Sequence, residues 1–264
     1  MDISIVKEKY LRHDKAIKDL HSEIKRLKIP IQLPIANEVL TDLSERIDSI
    51  FNSILSLTAS DNLYSLFILY RSILEHSYKA FYIFAKTIKD RNDDTAEKYQ
   101  KHLFISEFLA EQAGVLEMED LINENEKKTN FLDFLLLKFP ELSVFDKENQ
   151  KEISAAIMQF RLAEITKFLH DGFAEKEENK DVAAIFAKTL PEYSHVSTFT
   201  HGGSYASTLI KKFAEQNSTQ QEIDKILKIS LTVCGVIKEN VFITYQIDNS
   251  FVDILKKLHE IRKP

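Results

Sequence analysis

Tryptophan is absent from this chain, and its 264 residues include only five glycines and five prolines. This scarcity leaves few positions for tight turns, which disfavours a fold of many short strands joined by hairpins. Eighteen Phe and nine Tyr, by contrast, help to fill a sizeable core. The composition therefore predicts an all-α fold, a multi-helix bundle of about eight to ten helices around a central buried helix, with an N-terminal helical arm.

Cysteine and long apolar runs are also nearly missing. The one cysteine, Cys234, lies in an apolar run at residues 229–237, so no disulfide can form within the chain and we expect a reducing compartment. No uncharged apolar run approaches the roughly 20 residues of a membrane span, and the first residues lack the pattern of a secretion signal. We therefore expect a soluble, cytoplasmic protein with no membrane partner.

A strong charge of either sign is absent too. The 35 basic and 41 acidic residues are well mixed and give a formal charge of −6, which excludes a global basic field for nucleic acid. Any contact with RNA would have to be local. The chain has no H-x-x-x-H, H-E-x-x-H or Cys/His cluster, so we predict no metal site and no cofactor.

The first 29 residues carry a narrow apolar seam. Its members are spaced alternately four and three residues apart: Val6, Tyr10, His13, Ile17, Leu20, Ile24 and Leu27. Two interpretations are open, a coiled-coil contact with a second copy or a partner protein, and a helix laid across its own domain. Pro30 and Pro34 then favour an extended connection. We expect a boundary there, between an arm at residues 1–29 and a helical-bundle domain at residues 35–264.

Apolar periodicity and turn residues divide the rest of the chain into helices. Ser60 or Asp61 is expected to cap the central helix, which reaches about residue 86. Asp93 or Asp94 is expected to cap the next helix, and Gly114 to end it. The other predicted helices cover residues 35–57, 117–138, 147–169, 219–246 and 250–261.

The central helix is apolar on nearly every side, yet it contains Arg71 and Glu75 four residues apart. Because such a helix is normally buried, we expect a charged side chain within it to form an ion pair or to belong to a functional site. Tyr78 and Tyr82 continue the same face, seven and eleven residues after the arginine. This face predicts either a polar site or an ion pair that only fixes the register of the helix.

A second unusual stretch runs from residue 193 to residue 210. It has no Asp, Glu, Lys or Arg, but it has four Ser, three Thr, two His and the only Gly-Gly pair of the chain. If Pro191 opens a short helix, residues four apart share one face, and the glycine pair begins the next helix. Free backbone N–H groups at such a start favour an anion, while an ordinary helix break is the alternative. The candidate site residues of this stretch are Tyr193, Ser197, His201, Gly202, Gly203 and Ser204.

The two stretches together resemble a family of uncharacterised bacterial all-helical domains. The resemblance rests on R-S-x-x-E at residues 71–75 and Y-S-x-x-S-x-x-x-H-G at residues 193–202. It covers the middle and later parts of the chain and leaves out the N-terminal arm. It implies a shared polar pocket in a helical bundle, with no settled activity.

Residues 71–76 also fit the motif R-x(4–6)-H and resemble the HEPN superfamily of helical bundles. Its catalytic members cut RNA at a dimer interface and often serve in toxin–antitoxin or phage-defence systems, so the resemblance implies a metal-independent ribonuclease. Arg71 and His76 point roughly 140° apart on a straight helix. We therefore expect His201, from the second stretch, to be the histidine partner of Arg71.

Three functions stay open at this point. The first is a binding or regulatory module of a bacterial defence or toxin-type system, with a pocket for a small anionic or phosphate-containing ligand. The second is a ribonuclease in which His201 is the general acid–base, Arg71 stabilises charge on phosphate and Glu75 orients Arg71. Tyr78 and Ser197 would position its substrate. The third is an assembly subunit whose activity resides in a partner bound through the N-terminal arm.

Overall fold

The computed structural model describes residues 3–58, 62–122, 130–140, 147–174, 191–200 and 204–245. Every regular element in these ranges is a helix, which confirms the all-α prediction. No helix in them has the length and apolar character needed to cross a membrane. The elements are α1 (Ile3–Leu27), α2 (Pro34–Leu57), α3 (Leu63–Asp90), α4 (Asp94–Ile122), α5 (Phe131–Lys138), α6 (Lys147–Gln159), α7 (Leu162–Ala174), α8 (residues 191–200), α9 (Ser204–Glu215), α10 (Thr219–Asn240) and a 3-10 helix (Val241–Thr244).

Helix α3 lies at the centre of the fold, as predicted. It packs against α2, α4, α7, α9 and α10, and its core side chains Phe67, Tyr70 and Ile73 are completely buried. The side chain of Asn62 accepts a hydrogen bond from the backbone N of Ser65 at 3.1 Å. The cap of α3 is therefore Asn62 and not Ser60 or Asp61, since α3 begins a little later than expected and Asn is an equally good N-cap.

Asp93 lies immediately before α4, as predicted, but its carboxylate accepts hydrogen bonds from the first turn of α2. One oxygen accepts a hydrogen bond from the backbone N of Ala36 at 2.9 Å, and the other from that of Ile35 at 3.3 Å. These bonds take the place of an N-cap, because Leu33, the residue before α2, has no side-chain acceptor for the free backbone N–H groups of the first turn. One carboxylate thus joins the starts of α2 and α4.

Four predicted helix assignments are wrong. Helix α4 continues through Gly114 to Ile122, because an interior glycine costs only about 1 kcal/mol and Leu116 beyond it is buried. Of the predicted helix 117–138, residues 117–122 belong to α4, residues 131–138 form α5, and residues 123–129 lie outside the described residues. Residues 147–169 form two helices instead of one, since the chain breaks where Phe160 turns into the core against Tyr82 and Tyr99. Helix α10 ends at residue 240 rather than 246, and the predicted helix 250–261 lies outside the described residues.

The apolar seam of α1 packs against other helices of the same chain. Six of its seven members, from Val6 to Ile24, are buried where α1 packs on α10, while Leu27 is 54% exposed. His13, the polar member, lies 3.0 Å from a carboxylate oxygen of Glu239 on α10. Of the two interpretations, the helix laid across its own domain is the one observed. A contact with a second copy or a partner through this helix stays a prediction.

A buried lysine fastens α1 to the body of the fold. The Lys238 Nζ lies 2.7 Å from Asp14 on α1 and 2.5 Å from Asp48 on α2, and 4.8 Å from the ring centre of Tyr10. Asp48 also accepts hydrogen bonds from the Tyr10 hydroxyl at 2.7 Å and the Cys234 thiol at 3.3 Å. Burial raises the pKa of Cys234, so it remains a thiol. We call Tyr10, Asp14, Asp48, Cys234 and Lys238 the Lys238 cluster.

Candidate functional site: the contact of Arg71 with helix α8

Arg71 links the central helix to α8. Its Nη2 donates to the hydroxyl of Tyr193 at 3.0 Å, its Nε donates to the hydroxyl of Ser197 at 3.3 Å, and its Nη1 lies 3.3 Å from a carboxylate oxygen of Glu75. Its guanidinium carbon lies 5.2 Å from the ring centre of Tyr193. Four predicted site residues therefore meet as the sequence indicated. We call Arg71, Glu75, Lys79, Tyr193 and Ser197 the Arg71 site.

Lys79 completes the charges of this site. It lies one helical turn beyond Glu75 on α3, and its Nζ donates to the second carboxylate oxygen of Glu75 at 3.1 Å. Burial would raise the pKa of Glu75, but the charge and hydrogen bond of Lys79 and the charge of Arg71 lower it. Glu75 is therefore ionised at neutral pH and holds two cations on one side of α3.

Tyr193 and Ser197 share one face of α8, as the spacing predicted. The Ser197 hydroxyl donates to the backbone O of Tyr193 at 2.8 Å, which leaves its oxygen lone pairs toward Arg71. Burial, and then the charge of Glu75, raise the pKa of Tyr193, so its phenol keeps its proton at neutral pH. Tyr78 packs its ring edge against Tyr193 with centres 6.3 Å apart. Tyr78 is thus a buried side chain that packs beside the site.

Aromatic rings fix the other end of α8. The Tyr64 hydroxyl donates to the backbone O of Phe199 at 2.7 Å, and the Phe67 and Phe199 rings stack with centres 4.4 Å apart. His195 packs edge-on against Phe67 and Phe213, with ring centres 6.2 Å and 6.5 Å away. This histidine therefore belongs to the aromatic contact with α3 and α9.

A second ionic group lies on the α10 side of α8. Lys225 of α10 is 3.0 Å from Glu192 and 2.6 Å from Glu222. The Tyr70 hydroxyl is buried and has no hydrogen-bond partner among the described residues. Burial, followed by the charge of Glu192, raises its pKa. Glu192 and Tyr193 are neighbours on α8, but Glu192 contacts Lys225 of α10 whereas Tyr193 contacts Arg71 of α3.

The remaining candidate residues are placed as follows. The Nδ1 of His76 donates to the backbone O of Ser72 at 2.7 Å, a contact within its own helix. Tyr82 was predicted to continue the polar face of Arg71 and Glu75. Its ring packs instead on Phe168 of α7, with ring centres 5.1 Å apart, because α7 covers this part of α3. Ser204 begins α9 and is exposed. His201, Gly202 and Gly203 lie outside the described residues.

The Arg71 site is open to solvent on one side. The side chains of Arg71 and Glu75 are 25% and 31% exposed, so the buried ion pair foreseen from the sequence is only partly buried. A guanidinium has five N–H donors, and three are engaged within the described residues. The other two have no partner among the described residues. No group of His, Cys, Asp and Glu suited to a metal ion is found in the described part of the chain.

Sequence reasoning missed two parts of this region. Lys79 was detectable, because it follows Glu75 at the four-residue spacing that brings side chains together on a helix. The contact between Glu192 and Lys225 had no such signal, since these residues lie on separate helices.

No protein-family model, curated protein or solved structure matches this chain. The resemblances to bacterial all-helical domains and to the HEPN superfamily therefore stay predictions. The functional inference rests on the geometry of the Arg71 site.

Proposed function

We propose that this protein is a helical binding module whose Arg71 site takes a small anionic or phosphate-containing ligand. The observation that carries the proposal is the fixed, partly exposed guanidinium of Arg71, held by Glu75 on its own helix and by Tyr193 on α8. A guanidinium fork fixed in advance loses little side-chain entropy when it binds an anion in a bidentate manner.

The local charge favours an anion. Arg71 and Lys79 contribute two positive charges and Glu75 one negative charge, so the α3 side of the site is positive although the chain as a whole is acidic. The hydroxyls of Tyr193 and Ser197, which accept hydrogen bonds from the guanidinium, supply further polar groups beside it. An oxyanion has the complementary charge and acceptors for these donors.

The ribonuclease alternative has less support from the same geometry. It requires a general acid–base beside Arg71. His76 bonds to its own helix and His195 packs among aromatic rings, so neither of these two histidines fills that role. The role would fall to His201, outside the described residues. A regulatory function in a bacterial defence or toxin-type system is part of our proposal and rests on the resemblance alone.

A thermal-shift screen with inorganic phosphate, AMP, ATP and a short RNA tests the proposal. A ligand at about 100 times its Kd stabilises a folded protein by about 2.7 kcal/mol, so a true ligand raises Tm by several degrees. We expect at least one phosphate compound to do so for the wild type. Arg71→Gln should abolish the shift. Arg26→Gln, which removes an exposed arginine paired with Glu23, is the matched control and should keep it.

Two results would contradict binding at this site: a flat screen, or a shift that survives in Arg71→Gln. An RNA-cleavage assay separates the enzyme from the binding module. Cleavage by the wild type that is lost in both Arg71→Gln and His201→Ala would establish the ribonuclease instead.

A further inference from the structure

A cleft of about 190 Å³ lies between α2 and α4. Its floor is apolar, because it is lined by Val39 and Leu43 of α2 and by Tyr99 of α4, which are all nearly completely buried. The ring of Tyr99 also packs edge-on against Phe160, with ring centres 5.2 Å apart, and this contact fixes its position. The cleft therefore has an apolar floor of defined shape.

The rim of the same cleft is charged. It is lined by Asp42 and Arg46 of α2 and by Glu107 of α4, and all three side chains are exposed. None of the three forms an ion pair or a side-chain hydrogen bond in the part of the chain that the structure describes. Asp42 and Arg46 are four residues apart, a spacing at which opposite charges on a helix can pair, yet they stay separate. Charges of both signs are thus available at the rim.

Tyr99 brings a polar group to the apolar floor. It is only 8% exposed, and its hydroxyl has no hydrogen-bond partner among the described residues. Burial raises the pKa of Tyr99 to about 12, and the charges of Arg46, Glu107 and Asp42 also act on this pKa, so the hydroxyl lies within electrostatic reach of all three ions. A buried hydroxyl without a partner is unfavourable. A molecule in the cleft that bonds to this hydroxyl would supply the missing partner.

We propose that this cleft binds a small aliphatic amino acid in its zwitterionic form. The ammonium group of such a molecule is complementary to Asp42 and Glu107, and its carboxylate is complementary to the guanidinium of Arg46. Its side chain would lie on the apolar floor at Val39 and Leu43. The cleft has room for roughly six water-sized groups, about the size of such an amino acid.

The balance of charge favours a zwitterion over a simple ion. The rim carries two carboxylates and one guanidinium, so a phosphate would meet two charges of its own sign. An amine without a carboxylate would leave the guanidinium of Arg46 unpaired beside it. The cleft therefore differs in ligand class from the Arg71 site, where two cations share one carboxylate.

Isothermal titration calorimetry of the full chain with alanine, valine and leucine tests the proposal. We expect at least one of these amino acids to bind in a 1:1 ratio. The matched probes are the amine and the carboxylic acid that each lack one of the two charged groups, which for valine are isobutylamine and isovalerate. Both should bind at least about tenfold more weakly, because each loses a charge-assisted hydrogen bond.

Three substitutions place the binding in this cleft. Arg46→Gln and Glu107→Gln should each lower the affinity at least about tenfold, and the circular dichroism spectrum should be unchanged because both side chains are exposed. Tyr99→Phe removes only the hydroxyl and should weaken binding roughly threefold to tenfold, the loss of one neutral hydrogen bond. Arg26→Gln, at an exposed arginine of α1, is the matched control and should bind as the wild type does.

Three results would overturn the proposal. The first is the absence of saturable binding by all three amino acids. The second is equal affinity for the amine or the acid alone, since the cleft would then recognise a single charge. The third is unchanged affinity in Arg46→Gln and Glu107→Gln, which would place the binding elsewhere on the molecule.

Discussion

Arg71 shows how a cation is accommodated in a helix that is otherwise apolar. Its guanidinium is partly exposed and is held by three side chains, those of Glu75, Tyr193 and Ser197. The carboxylate of Glu75 lies between this guanidinium and the ammonium of Lys79. No ion of the site is isolated, so none carries the full cost of an unpaired charge in a partly buried position.

Lys238 differs from Arg71 because its side chain is buried among other helices of the chain. Its side chain is 8% exposed, and its partners Asp14 and Asp48 lie on two other helices. Burial alone would lower the pKa of Lys238, but these carboxylates raise it. Its role is to fasten α1.

Lys238→Met tests this role. The substitution removes the buried cation that Asp14 and Asp48 share and leaves Asp14 its pair with exposed Lys18, and breaking a buried pair of this kind costs about 3 kcal/mol. The loss should appear as a lower free energy of unfolding in urea. Lys18→Met is the matched control: Lys18 also pairs with Asp14, but it is 75% exposed and should contribute less than about 0.5 kcal/mol. Equal losses for both variants would contradict the assignment.

The sequence predicted the Arg71 site better than the Lys238 cluster, for a physical reason. Arg71 with Glu75, and Tyr193 with Ser197, are four residues apart, and that spacing alone places side chains on one face of a helix. The members of the Lys238 cluster come from α1, α2 and α10, so their meeting depends on packing between distant segments. Their pairing was therefore not detectable in a single sequence.

Helix α4 joins the main core to a small second core. Its first half packs on α2 and α3, and its second half carries the small core that it shares with α5. Gly114 lies between these halves in unbroken helix. A glycine is a strong stop signal only where the chain must leave the helix, and here the apolar side chains beyond it are buried.

Gly114→Ala should stabilise the protein. A Cβ at this position would have no atom within 4 Å, so the methyl group meets no obstacle. Alanine favours the helix interior over glycine by about 1 kcal/mol, partly through the lower entropy of the unfolded chain. Urea denaturation should show a gain of about that size. A loss of stability would mean that α4 bends or ends at this residue.

The fold is a bundle in which α3 is surrounded, and α1 and α8 pack on its outside through buried apolar side chains as well as polar contacts. Composition and periodicity predicted the helical class, the central position of α3 and the bounds of α2 closely. They did not predict the break between α6 and α7, because only packing places Phe160 against Tyr82 and Tyr99. Helix ends depend on such contacts more than helix interiors do.

Ionised carboxylates make the stability of the whole fold dependent on acid. Hydrogen bonds from Lys18 and Lys238 lower the pKa of Asp14 against the effect of burial, and the pKa of Glu75 is lowered in the same way. A carboxylate whose pKa is lower in the folded state binds a proton first in the unfolded chain. Its contribution is therefore complete above the unfolded pKa, about 3.9 for Asp, and is lost as the pH falls through the folded pKa.

We expect the free energy of unfolding of the wild type to fall steadily below about pH 5. Asp14→Asn removes one of the responsible groups, so its stability should be lower at neutral pH and should fall less on acidification. Urea denaturation across a pH series measures both. Parallel curves for the two proteins would show that Asp14 contributes nothing to the acid response.

The side-chain NMR signals of arginine give the most direct measurement of anion binding at Arg71. The Nε–H signal of Arg71 is identified by its loss in Arg71→Lys, and the wild type is then titrated with inorganic phosphate and AMP. We predict a saturable shift of the Arg71 signal with one of them, while the signal of exposed Arg26 stays nearly constant. An Arg71 signal that does not move, or one that moves no more than that of Arg26, would contradict an anion site between α3 and α8.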